Sequence, residues 1–581
     1  MKELRGISVS PGIIVGKAFL YLDDKPQVPH YTVTTLQIDS EIARFHSARD
    51  RAVSDVESLR SGTSENMGSD GRRFLDAHLL MLADPEFGAQ VEVKVREERT
   101  NAEWAMYEVV GVMVEQLEAS EDQYLRERAI DIHDVARRIL NHLLEREKVS
   151  LAELSEEVVL VTRNLLPSDT LLMNKRMVKA IAMDGGAKTS HTAILARSFE
   201  IAAVLGLSDV TRNVRTGDEI IIDGNAGVVI VDPDAETRSR YLRLSKEWHK
   251  RRAKLLVLNK LSAETRDGKL IRLKANIEVP EETEGALAHG ADGIGLYRSE
   301  FLFLKPGDFP SEQVQYEAYS RVIDAMRGGP VTIRTLDLGG DKILPDLPLY
   351  GEKNPILGWR AVRFCLSEVE LFKVQLRALL RASTHGDLRI MFPMISGVEE
   401  LGRVLAVLEE SKEELRKKGV AFNEKMRIGI MIEIPSAALT ADILARRVDF
   451  FSIGTNDLIQ YTIAVDRGNE RIAYLYEPFH PGVLRLIKTI IEHAHAANIP
   501  VSMCGEMAGD PLATVVLLGL GLDTFSMSAS RIPEVKEIIR AVTMSEAVEM
   551  VDAIMGMESY ADVDRHVREW MSGRFNLSPR S

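Results

Sequence analysis

Gly429-Ile430-Met431-Ile432-Glu433-Ile434-Pro435 is an apolar run broken by one carboxylate and closed by a proline. It reads as a strand buried on both faces, because polar residues do not alternate through it. Glu433 then stands where strand gives way to loop. The same design recurs in Ser452-Ile453-Gly454-Thr455-Asn456-Asp457-Leu458 and around Met503-Cys504-Gly505-Glu506. Outward from these, eight strands are expected: 271–277, 293–298, 331–337, 388–394, 428–434, 450–455, 501–506 and 524–528, with helical patterns between them. Eight β-α units predict a TIM barrel, whose chemistry gathers where its strands end. The expected strand ends carry Arg298, Arg334, Asp337, Met394, Glu433, Asn456, Asp457, Cys504 and Glu506, too polar a set for a packing layer.

Upstream the pattern differs. Residues 1–20 read as two short strands with a turn at Ser10-Pro11-Gly12. Residues 36–145 read as long helices, with Leu75, Leu79 and Leu82 at helical spacing and breaks at Gly62, Gly68, Gly71 and Asp84-Pro85. Strand-like runs return at 157–161, 180–183, 219–223 and 228–231. The expected fold is α/β and multidomain. An α/β domain, residues 1–30 and 146–233, carries an inserted helical subdomain, 31–145. A charged helical linker, 234–262, leads to the barrel, 263–581.

The composition is that of a soluble globular chain of 581 residues, 45% hydrophobic and 28% charged. Two cysteines cannot build a disulfide framework, so a reducing cytoplasmic setting is expected. No apolar run reaches the ~18–20 residues of a membrane span. A net charge of −14 argues against nucleic-acid binding. The acidity is concentrated: residues 21–145 hold 25 Asp and Glu against 14 Lys and Arg. That face is either a solvated helical surface or a docking surface for a basic partner.

Four constellations carry chemistry. Gly185-Gly186-Ala187-Lys188-Thr189-Ser190-His191-Thr192 combines glycines, hydroxyls and a histidine before a helix. Unpaired backbone N–H groups at a helix start favour negative charge, and neutral imidazole is a good nucleophile. These parts suit a histidine that carries a phosphoryl group. Glu433 and Asp457, at neighbouring strand ends, suit one hard cation such as Mg²⁺. Arg298, Arg334, Arg360 and Arg467 together imply a polyanionic substrate, since guanidinium binds phosphate and carboxylate oxygens in a bidentate manner. Cys504 reads either as a small buried side chain or as a proton donor.

Two long motifs, the His191 loop and Asp449–Arg467 (DFFSIGTNDLIQYTIAVDR), match signatures of the phosphoenolpyruvate-utilising enzymes. Within that superfamily the whole chain resembles enzyme I of the bacterial sugar phosphotransferase system, from Gly6-Ile7-Ser8-Val9-Ser10-Pro11-Gly12 through the barrel. Dikinase and synthase relatives carry an ATP-binding domain before the His domain. Here about 145 helical residues precede it, without a Gly-rich nucleotide loop, so a protein acceptor is expected.

The resemblance implies roles residue by residue. His191 is the phosphorylated nucleophile, and Thr170 orients its ring. Glu433 and Asp457 are the Mg²⁺ ligands. Arg298, Arg334, Asn456 and Arg467 bind phosphoenolpyruvate, with Arg360 in the matching Gly358-Trp359-Arg360 stretch. Cys504 protonates the enolate to give pyruvate. The helical insert docks the phosphocarrier protein HPr, and the barrel forms a homodimer. Ala187 and Lys188 replace the Gly and Arg of many members, a change expected to preserve activity.

Overall fold

The computed structural model describes residues 1–22, 28–62, 69–118, 123–144, 151, 154–165, 169, 173–174, 176–186, 191–303, 309–338, 354–466, 469 and 471–575. The chain divides into two compact units, residues 1–249 and 250–580.

The first unit is built on an eight-stranded mixed sheet. Its strands are β1 (Lys2–Arg5), β2 (Ile7–Ser10), β3 (Ile13–Tyr21), β4 (Val158–Thr162), β5 (Val178–Met183), β6 (Ala202–Leu205), β7 (Glu219–Asp223) and β8 (Val228–Val231). Their order is β1-β8-β7-β3-β4-β5-β6-β2, with β3 to β6 mutually parallel. Consecutive β1 and β2 occupy opposite ends of that order, so the sheet curls until its edges approach at Gly6. Gly6 N donates to Gly227 O at 2.9 Å. A Cβ on Gly6 would lie 2.5 Å from Leu205 O. This tight crossing splits the first expected strand, and the N-terminus holds three strands instead of two. β6, four small and apolar residues, was not expected either.

Helices α1 (Ile38–Gly62), α2 (Ser69–Leu82), α3 (Pro85–Glu98), α4 (Ala102–Glu118) and α5 (Gln123–Leu143) lie between β3 and β4 in the chain. Phe45, Ala48, Ala52 and Val56 recur at three- and four-residue spacing on α1 and are buried in one core with Val91, Met106 and Ile139. Asp84 ends one helix and starts the next. Its side chain accepts from Glu86 N at 2.8 Å, with Pro85 at the first helical position. Helix α6 (His191–Ser198) follows β5, and α7 (Ala235–Val257) follows β8.

The second unit is a closed barrel of eight parallel strands. They are β9 (Arg272–Ile277), β10 (Ile294–Arg298), β11 (Val331–Arg334), β12 (Leu388–Phe392), β13 (Arg427–Ile432), β14 (Phe450–Ile453), β15 (Val501–Met503) and β16 (Thr524–Ser528). All eight expected barrel strands are present. Five end before the expected residue, because the last residues of those runs leave the ladder for the loops. Phe372, Phe392, Phe451 and Phe525 are fully buried in its core. Among the described residues no helix is long and apolar enough to cross a membrane.

One buried charge belongs to the barrel rather than to its strand-end site. Lys274 on β9 is 7% exposed. Burial, reinforced by the charge of Arg389, pulls its ammonium from 10.5 down to about 8. The unfolded chain therefore binds this proton more tightly, and folding is penalised below pH 8. Lys274→Met should raise the unfolding midpoint of the barrel at pH 7. Its advantage should shrink by roughly 3 kcal/mol as pH rises through 8 towards 10.5, measured by denaturant melts across that range.

Candidate active site

The C-terminal strand ends of the barrel bring buried arginines and carboxylates together. Asp337 is at the centre, 1% exposed. Arg334, the last residue of β11, places Nη1 2.9 Å from Asp337 Oδ2, three residues on. Its Nη2 also pairs with Glu300, just beyond β10. Arg360 approaches from the opposite side. Its Nη2 lies 2.9 Å from Asp337 Oδ1 and 3.1 Å from Oδ2, and 3.1 Å from Asp457 Oδ2. One carboxylate therefore fixes two guanidinium groups, and the second of these also reaches Asp457. Burial works against both arginine charges. Glu300 and Asp337 outweigh it at Arg334, Asp337 and Asp457 at Arg360, and both groups are held above arginine's usual range.

Arg360 stands in the loop before the helix Val362–Ser367. The next residue, Ala361, takes φ 52° and ψ −128°, a region costly for a side chain with a Cβ. Ala361 N donates to Leu338 O at 2.8 Å, which holds the strained turn in place. Tyr461 Oη donates to Ile356 O at 2.7 Å and lies 3.4 Å from Arg360 Nη1.

Glu433 follows β13 and is 2% exposed. Its Oε1 accepts from Met394 N at 2.7 Å. Met394 has φ 58°, a second non-glycine residue held in an unfavourable region beside a site side chain. Burial, then the charges of Asp457 and Asp337, push the Glu433 carboxyl well above its usual range. Gly454 lets it stand there, since a Cβ would meet Glu433 Oε2 at 2.8 Å. Asp457 sits in the first turn of the helix Thr455–Ile463. Its neighbour Asn456 accepts from Glu506 N at 2.9 Å and donates to Glu506 Oε1 at 3.3 Å. Arg298, ending β10, donates to Glu278 at 2.7 Å and is a third exposed to solvent.

Cys504 follows β15 and is buried. Cys504 N donates to Ile453 O at 3.1 Å, and Asn276 Nδ2 donates to Cys504 O at 3.0 Å. Next to it, Gly505 is required by contact, because a Cβ would lie 1.9 Å from Thr455 Oγ1. Burial raises the Cys504 thiol above its usual range, with Ser452, Arg334 and Arg298 pulling the other way.

The barrel thus gathers Arg298, Arg334, Arg360, Glu433, Asn456, Asp457 and Cys504 at one end. His191 belongs to the first unit, where it opens α6. Thr170, Arg467 and residues 187–190 of the His191 loop lie outside the described residues. Sequence reasoning placed Asp337 at a strand end without giving it a role, and missed Glu278 and Glu300. The signal for Asp337 is its i,i+3 spacing from Arg334, which the structure turns into an ion pair.

Two cations on one buried carboxylate predict a severe response to its neutralisation. Asp337→Asn should destabilise the barrel by about 3–5 kcal/mol, the cost of leaving buried charges uncompensated. Calorimetry of the variant checks this.

Comparison with known proteins agrees along the chain. Residues 5–128 match the family described as PEP-utilising enzyme, N-terminal. Residues 154–227 match its mobile domain, and 252–544 its PEP-binding domain. A phosphoenolpyruvate-protein phosphotransferase of Priestia megaterium is 44% identical, covering 98% of this chain and 99% of its own. That of Bacillus subtilis (strain 168) is 44% identical, covering 98% of this chain and 100% of its own. A solution structure of an Enzyme I protein is 39% identical with a TM-score of 0.39, covering 42% of this chain and 99% of its own. The chain belongs to the phosphoenolpyruvate-protein phosphotransferases, a family of PEP-utilising enzymes.

Proposed function

We propose that the chain transfers the phosphoryl group of phosphoenolpyruvate to His191 and then to a histidine of HPr, releasing pyruvate. This is the first step of phosphotransferase-system sugar uptake. The observation that carries the reading is the buried Arg334–Asp337–Arg360 cluster beside Glu433 and Asp457. Such an array suits a small substrate that carries both a phosphate and a carboxylate.

The donor set supports a divalent cation. Around Asp337 the described arginines Arg298, Arg334 and Arg360 face five carboxylates: Glu278, Glu300, Asp337, Glu433 and Asp457. Burial and then the charge of Asp457 push the Glu433 carboxyl up, and a divalent ion bound there would offset that cost and let both carboxylates ionise. Among the described residues no three His, Cys, Asp or Glu side chains converge to enclose a metal by themselves. Mg²⁺ takes one or two carboxylates and completes its shell with water and substrate oxygens. Glu433 and Asp457 would hold it, and the ion would supply charge neutralisation at the phosphoryl oxygens.

The chain's own residues do the rest. Arg298, Arg334, Arg360, Asn456 and Arg467 bind and orient phosphoenolpyruvate. A ring nitrogen of His191, oriented by Thr170, attacks phosphorus. The N–P bond forms as the P–O bond to the enolate breaks. Cys504 gives its proton to the methylene carbon of the enolate, which becomes pyruvate. Residues 1–30 and 146–233 act as the phosphohistidine domain. The acidic helices of residues 31–145 dock HPr. Residues 234–262 let the His191 domain swivel between barrel and acceptor. Residues 263–581 pair in a homodimer, and the protein works in the cytoplasm.

Incubation with Mg²⁺ and phosphoenolpyruvate labelled on phosphorus tests the reading. The wild type should take up acid-labile, base-stable label, His191→Ala should take up none, and HPr should drain it. Drainage by AMP with inorganic phosphate, and not by HPr, would point instead to a dikinase-like enzyme. Chelation with EDTA should abolish labelling, and added Mg²⁺ should restore it. Labelling that persists without any divalent ion would contradict the role given to Glu433 and Asp457.

A further inference from the structure

Ser452 lies within β14, between Phe451 and Ile453. Alternate residues of a strand share a face. Phe450 packs with Leu296, Met391, Met431 and Cys504 inside the barrel. Ser452 therefore faces that interior on the same side as Cys504, whose strand β15 pairs directly with β14. It is fully buried, and its Oγ makes no hydrogen bond of normal geometry. A buried hydroxyl in that state calls for an explanation. Its influence on the neighbouring sulfur gives one: the Ser452 hydroxyl favours the charged form of Cys504.

The resting thiol has another partner. Cys504 Sγ donates to Ile453 O at 3.8 Å. Once the proton is gone, the sulfur is an anion facing a carbonyl oxygen in a buried place. The backbone of Cys504 is held at both ends, by Ile453 O and by Asn276. Arg334 and Arg298 favour the anion, and Glu433 opposes it. Ser452 offers that sulfur a hydroxyl proton not already given to another acceptor.

We propose that Ser452 is a positioning residue for the protonation step, its hydroxyl donating a hydrogen bond to the Cys504 sulfur as that sulfur gives up its proton. The proposal rests on the reading of Cys504 as the acid. In the step, the S–H bond breaks and its electron pair stays on sulfur. The enolate π pair forms the new C–H bond, and the enolate oxygen becomes the carbonyl of pyruvate. The thiolate then takes a proton from water.

The test uses the full chain without metal, alkylated by iodoacetamide from pH 7 to 10. The mass of the Cys504 peptide separates it from Cys365. Alkylation follows the thiolate fraction. Ser452→Ala should alkylate several-fold more slowly at pH 8, with its pH midpoint shifted upward. Ser452→Thr, which keeps the hydroxyl, should stay near the wild type. Ser452→Gly repeats the deletion should the alanine disturb the strand. With Mg²⁺ and phosphoenolpyruvate, Ser452→Ala should lower kcat for pyruvate formation and leave KM unchanged. Unchanged alkylation rate and midpoint in both deletions would overturn the proposal. Full pyruvate formation by Cys504→Ala would instead overturn the role of Cys504 as the acid, whatever the Ser452 variants do.

Discussion

The site depends on a single carboxylate held between two buried guanidinium groups. Asp337 reaches Arg334 with one oxygen and Arg360 with both. Arg360 passes the connection on to Asp457, and Arg334 passes it to Glu300. Residues from the ends of three strands and from one loop thus form a continuous chain of charges. Buried ion pairs of this kind add little stability of their own, because desolvation consumes most of the Coulomb gain. Their value is orientation. Two planar cations arrive with fixed geometry where a polyanion can meet them, with no reorganisation left for the moment of reaction.

Strain accompanies that geometry. Ala361 and Met394 hold backbone conformations normally left to glycine, one next to Arg360 and one donating to Glu433. True glycines stand where contact demands them, Gly454 against Glu433 and Gly505 against Thr455. The closed parallel barrel supplies the rigidity that supports these positions. Its strands are buried on both faces, and its large aromatic side chains are fully enclosed.

That burial is also why the barrel was legible in the sequence. Parallel strands covered on both sides read as continuous apolar runs, and all eight stood out. Their ends were overrun where polar residues such as Asp337 and Glu506 belong to loops. β6 escaped notice because Ala202–Leu205 is short and follows a helix without a strong turn signal. The N-terminal strand was read whole because the crossing at Gly6 depends on Leu205 and Gly227, about 200 residues away. Site residues were legible as types at strand ends and through two long motifs. Their mutual contacts were not. No local pattern shows that Arg360 bridges Asp337 and Asp457, or that Ser452 shares an interior with Cys504, because those neighbours meet only when the barrel closes.

The central claim is that phosphoryl transfer runs through an enzyme-bound phosphohistidine, with pyruvate released before any acceptor protein is needed. Isotope exchange tests it most directly. Purified chain is mixed with Mg²⁺, phosphoenolpyruvate and carbon-labelled pyruvate, with no phosphocarrier added. The account predicts that label enters phosphoenolpyruvate, at a rate that His191→Ala abolishes. Absence of exchange in a chain that binds phosphoenolpyruvate, or exchange that survives loss of His191, would contradict it.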